Sequence, residues 1–231
     1  MVLQPLALVD KAYQDGILDK KMYAKIIDRF RYVKEGIDRI ERASNIKYPD
    51  YYIEPNMILS VSSLDEFGIL FARTLPVIID NKVKIIIQLT APLVAFGLKG
   101  TIHAILAHEF LHYLELLSRI IRMEIISDEI ANTLFESEYS DLTRLLEAKA
   151  VFNDRSLLRL LSKKFDDTLN DKRLEEKSIK LWLEKGYPSK KVSITDNITR
   201  LSMDAIINTP IDKELEHKIN DILKKSEKFK R

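Results

Sequence analysis

The chain has 231 residues, 46% hydrophobic and 31% charged, which is enough apolar material for a folded core and excludes a largely disordered protein. Its 37 Lys and Arg residues nearly balance 35 Asp and Glu, and a net charge of +2 lacks the basic excess of a dedicated nucleic-acid binder, so no nucleic-acid partner is expected. Cysteine is absent, which excludes disulfides and thiolate zinc sites, so any metal must be held by His and carboxylates.

The first half of the chain contains predicted helices followed by predicted strands. Residues 6–45 predict two helices from apolar residues spaced by three and four, with a break at Asp15-Gly16. Residues 51–60 predict a strand, which Pro55 weakens. Residues 76–79 and 83–89 are rich in β-branched side chains and flank a short polar turn, so they predict a hairpin.

A long helix is predicted from residue 102 to about 123, with Thr101 as its N-cap. This segment contains no Gly or Pro, and its apolar residues recur around the whole helix, which is typical of a buried helix. The rest of the chain also predicts helices, at about residues 127–135, 142–152, 156–165, 174–185, 198–207 and 212–228.

These elements predict an α+β fold that is predominantly helical, with a small mixed or antiparallel sheet packed on the long helix. We expect a core at residues 51–155, an N-terminal helical segment at 1–50, and a C-terminal helical segment at 156–231 packed on the core. The first ten residues lack the basic start of a signal peptide, and the longest apolar stretch is too short to span a bilayer. We therefore expect a cytoplasmic protein with no membrane partner.

The long helix carries the sequence His108-Glu109-Phe110-Leu111-His112, an H-E-x-x-H motif. Positions i and i+4 of a helix differ by about 40° around its axis, so both imidazoles project from one face and can share a metal ion. Glu109 flanks the pair, where it can take a proton from a metal-bound water instead of binding the metal. This spacing predicts a catalytic Zn²⁺ site with His108 and His112 as ligands and Glu109 as general base.

A helix with this motif after a strand-rich segment resembles the zincin metallopeptidases. The chain has neither the Gly nor the third His that follow the motif in metzincins, so it is similar instead to the gluzincin branch. The resemblance implies a zinc endopeptidase acting on a peptide or protein substrate. It also implies a strand beside the cleft where an extended substrate can pair, and residues 83–89 are our prediction for that strand.

The gluzincin resemblance further implies a glutamate on a later helix as the third zinc ligand. Glu147 is our prediction, because it precedes Ala150 in a Glu-x-x-Ala pattern similar to the glutamate helix of several gluzincins. Glu129 and Glu136 are the alternatives. Glu115, on the motif helix itself, is expected either to support the site without binding the metal or to lie at the surface, and Asp154 is a candidate to orient a ligand histidine.

Two other functions remain open at this stage. The first is a zincin-fold protein that is catalytically inactive or restricted to one target and acts in binding or regulation. The second is a helical structural protein in which His108 and His112 are core residues with no metal. The group that stabilises the oxyanion is not assigned, with Tyr139, Tyr187 and His217 as candidates, and the oligomeric state is also open. His103 is expected to face away from the motif, because it lies about 140° from His108 around the helix.

Overall fold

The computed structural model describes residues 4–61, 67–122, 129–131, 146–165, 169–193 and 198–229. The helices among them are α1 Ala7–Gln14, α2 Lys20–Arg29, α3 Arg31–Ser44, α4 Ala91–Phe96, α5 Lys99–Ile121, α6 Ala148–Val151, α7 Arg155–Lys164, α8 Lys172–Ser178, α9 Met203–Ile207 and α10 Lys213–Phe229. A π-helical turn, Ile179–Leu183, continues α8. The α+β class predicted from the sequence is confirmed, and helices predominate among these residues.

The strands form three small sheets. Their bounds are β1 Tyr51–Glu54, β2 Met57–Val61, β3 Phe67–Leu70, β4 Ala72–Ile79, β5 Lys82–Thr90, β6 Glu129–Ala131, β7 Ser189–Ser193 and β8 Ile198–Arg200. The first sheet has the order β1-β5-β4, with β1 parallel and β4 antiparallel to β5. The second has the order β3-β2-β7, and the third pairs β6 with β8. The predicted hairpin is confirmed as β4 and β5, joined at Asp80 and Asn81, whose positive φ angles of 51° and 54° suit a tight two-residue turn.

Helix α5 lies at the centre of the hydrophobic core. Its apolar side chains are buried around most of the helix, as the sequence predicted. Helices α3 and α7 pack against it, and so does strand β4. Gly36 of α3 makes the first of these contacts possible, because a Cβ atom there would lie 2.6 Å from Leu106 and 2.9 Å from His103. The buried cluster extends from Val9 of α1 to Ile222 of α10.

The N-terminal segment differs from its prediction in one respect. It forms three helices, because the predicted second helix bends at Phe30 between α2 and α3. The backbone of Phe30 remains helical, with φ −57° and ψ −23°, so the apolar periodicity continues across the junction and does not reveal it. Likewise the predicted strand at residues 51–60 is two strands, since β1 ends at Glu54 just before Pro55.

Two expectations about α5 and the C-terminal half are wrong. The N-cap of α5 is Leu98, and the Thr101 hydroxyl instead donates a hydrogen bond to Asp171, 2.6 Å away. The expected helix at 198–207 begins as strand β8, and only Met203–Ile207 is helical. Strand β7 was not foreseen, because it lacks an apolar alternation of its own and forms through parallel pairing with β2, which is remote in sequence.

Two further expected helices fall partly outside the described residues. Within the expected helix at 127–135, residues 129–131 form strand β6 and the others are not described. Of the expected helix at 142–152, the single turn α6 is present, and residues 142–145 are not described. No helix in the described part of the chain is long and apolar enough to cross a membrane.

Candidate metal centre

The two motif histidines converge in the middle of α5. His108 Nε2 lies 2.8 Å from His112 Nε2, and the two ring planes are perpendicular with centroids 4.3 Å apart. Neutral imidazole carries one N–H and one lone pair, so one ring donates to the other at this distance. His112 is only 6% exposed, and His108 is half-buried. The helical spacing therefore directs the metal-binding atoms of both rings to one point, as the sequence predicted.

Glu109 completes the cluster. Its carboxylate and the two imidazoles offer ligand atoms that all lie within 4.8 Å of one another. The residue is 6% exposed, which is rare for glutamate unless its carboxylate is engaged. Thr74 of strand β4 engages it, because the Thr74 hydroxyl lies 2.9 Å from Glu109 Oε2 and 3.2 Å from the Glu109 carbonyl oxygen. The sheet thus fixes the carboxylate beside the histidine pair.

Aromatic side chains pack on both sides of the motif helix. The Phe165 ring, just after α7, stacks on the His108 imidazole with centroids 4.0 Å apart and an interplanar angle of 4°. On the other side of α5, Tyr48 stacks on Phe110 at 5.4 Å and donates a hydrogen bond to the Leu106 carbonyl oxygen at 3.0 Å. Burial, followed by the negative charge of Glu109, raises the pKa of Tyr48 well above its usual value.

The donor set could hold a metal ion. Imidazole nitrogen and carboxylate oxygen are the ligands that zinc takes where thiolates are absent. The two imidazole nitrogens, 2.8 Å apart, and the buried carboxylate beside them could hold a cation once bonds to the metal replace the hydrogen bond between the rings. A catalytic zinc site takes three protein ligands and one open position, so a third ligand is still required if Glu109 is to act as base.

Glu147, the predicted third ligand, lies outside this cluster. It precedes the single turn of α6 instead of lying within a longer helix, and its backbone N–H donates to the Ser226 hydroxyl of α10 at 2.9 Å. Its role as a ligand therefore stays a prediction. Of the two alternatives, Glu129 begins strand β6, with a side chain that is not described, and Glu136 lies outside the described residues.

Three other predictions about polar residues can be compared with the structure. Asp154 does not reach a motif histidine: it caps α7 and accepts two hydrogen bonds from Arg39 at 2.6 and 3.0 Å. Arg39 is the main cause that lowers the pKa of Asp154 to about 2. His103 faces α3 and therefore points away from the motif, as predicted. Burial there lowers the pKa of His103. Glu115 is buried, 3.8 Å from Arg119.

The candidates for oxyanion stabilisation gain no support from their positions. Tyr187 donates its hydroxyl to Asp19 near the start of α2, and burial together with this hydrogen bond raises the pKa of Tyr187 to about 12. His217 is exposed on α10 and lies 3.5 Å from Asp221. Tyr139 falls outside the described residues.

Strand β4 contacts the cluster, and of the residues 83–89 predicted to pair with a substrate, 87–89 are already paired on both edges. Those residues lie in β5, the central strand, and from Ile87 to Thr90 β5 pairs with β1 on one edge and β4 on the other. A strand with both edges hydrogen-bonded has no backbone groups left for a substrate. Among the described strands, only β5 pairs with β4, so β4 is an edge strand, and it also supplies Thr74.

Sequence reasoning missed Thr74 and Phe165. Thr74 sits in a run of strand-forming residues that assigns it no special role, and Phe165 lies 53 positions after His112 at the end of an ordinary amphipathic helix. Neither has a local signal, because tertiary packing brings each to the motif.

Comparison with known proteins gives no relative for this chain. No family model, no curated protein and no solved structure matches it.

Proposed function

We propose that this protein is a zinc-dependent metallopeptidase in which His108 and His112 hold the metal and Glu109 is the general base. The observation that carries the proposal is the convergence of three ligand-type side chains, two Nε2 atoms 2.8 Å apart and a buried carboxylate, in the interior of an apolar helix. Burying such polar groups is costly unless they are hydrogen-bonded, paired or bound to a metal. A zincin-like core, with the β4–β5 sheet against α5, belongs to the same proposal.

The division of roles follows from the donor types. A bound zinc ion polarises a carbonyl and lowers the pKa of water towards about 7. Glu109 then accepts a proton from the attacking water and returns it to the leaving amine. The Thr74 hydroxyl engages Oε2 of that carboxylate, which restricts its rotation. Glu147 is retained as the proposed third ligand.

An extended polypeptide is the proposed substrate. The position of β4 supports this, because an edge strand offers alternate N–H and C=O groups to an added strand. Thr74 belongs to β4 and touches the proposed base, so a peptide paired along this strand would run close to Glu109. Backbone pairing recognises extended chains with little regard to sequence, and we therefore propose peptides or unfolded protein as the substrate class.

The decisive experiment is metal analysis by mass spectrometry of untagged protein purified without chelator. We expect about one zinc per chain in the wild type, as a single site requires, and none in His112→Ala. His217→Ala is the matched control, since it removes an exposed histidine remote from the cluster and should retain the metal. A wild-type chain that stays metal-free after zinc is added back would reduce His108 and His112 to core residues.

Catalysis is tested separately from metal binding. Zinc-loaded wild type should cleave an unfolded substrate such as casein, and Glu109→Ala should bind zinc without cleaving. Equal hydrolysis by wild type and Glu109→Ala would refute the mechanism. If the wild type binds zinc yet cleaves neither casein nor a mixed peptide library, the proposal of a general peptidase is refuted. The alternative of a target-restricted or inactive zincin-fold protein is then favoured.

A further inference from the structure

The ring of Phe165 covers one face of the proposed metal ligand His108. Its plane lies 4° from that of the imidazole, with centroids 4.0 Å apart, so the two rings are nearly parallel. Parallel aromatic rings at this separation attract each other beyond the area that they bury. The contact involves the face of His108 and leaves its Nε2 edge directed at His112.

A polar network anchors the chain that carries Phe165. The preceding residue, Lys164, forms an ion pair with Asp171 at 2.6 Å, and Asp171 also accepts the Thr101 hydroxyl at 2.6 Å. Thr101 lies seven residues before His108, which on a helix is two turns away on nearly the same face. The end of α7 is thus tied to the same face of α5 that carries the motif.

The backbone around Phe165 is also constrained. Phe165 pairs with Leu169 in an isolated β-bridge, and the Asn170 N–H donates to the Lys164 carbonyl oxygen at 2.7 Å. At the other end, the Phe165 N–H donates to Leu161 at 2.9 Å, as the last hydrogen bond of α7. Backbone and side-chain contacts on both sides therefore fix where the ring lies.

We infer that Phe165 is a positioning residue, which holds the His108 imidazole in the orientation required to bind the metal. This inference rests on the proposed function. An imidazole on a helix has several rotamers, and only some direct Nε2 towards His112. A ring packed on its face removes the others before the metal arrives, as the hydrogen-bonding neighbours of ligand histidines do in other metal sites.

The test compares three variants in two measurements. Phe165→Leu removes the aromatic stack, Phe165→Tyr keeps it, and Phe152→Leu is the matched control because it truncates a buried phenylalanine elsewhere in the core. Zinc affinity is measured by competition with a chromophoric chelator. The stack itself is measured by NMR on chelator-treated protein, where a ring face shifts the His108 carbon-bound ring protons upfield, and His108→Gln identifies those signals by their loss.

We expect upfield His108 signals in wild type and Phe165→Tyr, and their return towards ordinary positions in Phe165→Leu. Zinc affinity should fall about tenfold in Phe165→Leu, the lower end of the range for residues that orient metal ligands, and stay at the wild-type value in Phe165→Tyr and Phe152→Leu. Unchanged affinity in Phe165→Leu, or a tenfold loss also in Phe152→Leu, overturns the inference and leaves the zinc site standing. A wild type that binds no zinc overturns the proposed function and the role of Phe165 together.

Discussion

Helix α5 carries two buried polar clusters that are built in different ways. Near its N-terminus, Asp171 is surrounded by donors: the Lys164 ammonium, the Thr101 hydroxyl and the backbone N–H of Leu174. Burial raises the pKa of Asp171, but these donors outweigh it and lower the pKa below its usual value. We call Asp171 and its three donors the paired cluster, because the carboxylate accepts a hydrogen bond from each of them.

The second cluster, at the middle of α5, consists of two imidazoles and a carboxylate whose ligand-type atoms converge, and we call it the converging cluster. His108, His112 and Glu109 direct ligand atoms to within 4.8 Å of one another. One imidazole hydrogen-bonds to the other, and the carboxylate accepts from Thr74, but all three side chains are of types that also bind metal ions. Burial alone therefore does not identify a functional group. Asp171 and its donors stabilise the fold, whereas the converging cluster is the one proposed to bind a metal ion.

The largest effect is expected at Glu109. Glu109→Gln keeps the size and the hydrogen bond from Thr74 but removes the base, so hydrolysis should fall by about a thousandfold, within the range for general base catalysis. Zinc content should remain at the wild-type value. Glu214→Gln is the control, because it removes an exposed carboxylate of α10 that has no role in the proposed site. Equal losses of activity in both variants would show that the converging cluster has no special role.

The paired cluster predicts the opposite pattern. Asp171→Ala leaves Lys164 without its carboxylate and the buried Thr101 hydroxyl without an acceptor, which should lower the free energy of unfolding by about 3 kcal/mol. Chemical denaturation in the presence of chelator measures this loss free of metal effects. Glu214→Ala, which removes an exposed ion pair with Lys218, should cost less than about 0.5 kcal/mol. A comparably small loss in Asp171→Ala would erase the distinction between the clusters.

The difference between these clusters also explains which features could be predicted from the sequence. The converging cluster was predictable, because His108, Glu109 and His112 are neighbours on one helix and helical geometry alone brings them together. The β4–β5 hairpin was predictable for the same reason, since its strands and turn are contiguous. Such features depend on local spacing, which a single sequence displays.

Features that depend on remote partners were not predictable. Thr74 reaches Glu109 across 35 positions, and the Thr101 hydroxyl was expected to cap its helix but bonds to Asp171, 70 positions away. Strand β7 has no alternating pattern and exists through pairing with β2. The resemblance to zincins pointed to residues 83–89 as the substrate strand, because composition marks β5 as a buried strand but does not show that β4 occupies the edge.

A smaller effect is expected where the sheet meets the converging cluster. Thr74→Val removes the hydroxyl that engages Glu109 Oε2 and preserves the β-branched shape, so the carboxylate should become less well oriented. We expect the turnover rate to fall about tenfold, equivalent to about 1.4 kcal/mol, with zinc affinity unchanged. Thr74→Ser, which restores the donor, should recover most of the rate. If the valine variant turns over at the wild-type rate, Thr74 contributes packing only.

The smallest effect concerns a second paired site, at Asp154. Its pKa in the folded protein is lowered to about 2, chiefly by Arg39, compared with about 3.9 for an unfolded chain. A lowered folded pKa stabilises the protein above the unfolded value and loses that stabilisation as pH falls from about 4 through 2. Because the Arg39 and Asp154 side chains are 21% and 27% exposed, solvent screening should limit the contribution to about 1 kcal/mol.

Asp154→Asn isolates this charge, because asparagine caps a helix about as well as aspartate does. The variant should be about 1 kcal/mol less stable than wild type near pH 6, and the gap should close as pH approaches 2. Urea denaturation at pH 6, 4 and 2.5 follows the gap directly. A constant gap would assign the stabilisation to the cap geometry instead of the ion pair. If the difference in stability closes at low pH, Asp154 belongs with Asp171 among the groups that stabilise the fold by complementary charge. Replacing residues of the converging cluster should instead alter metal binding.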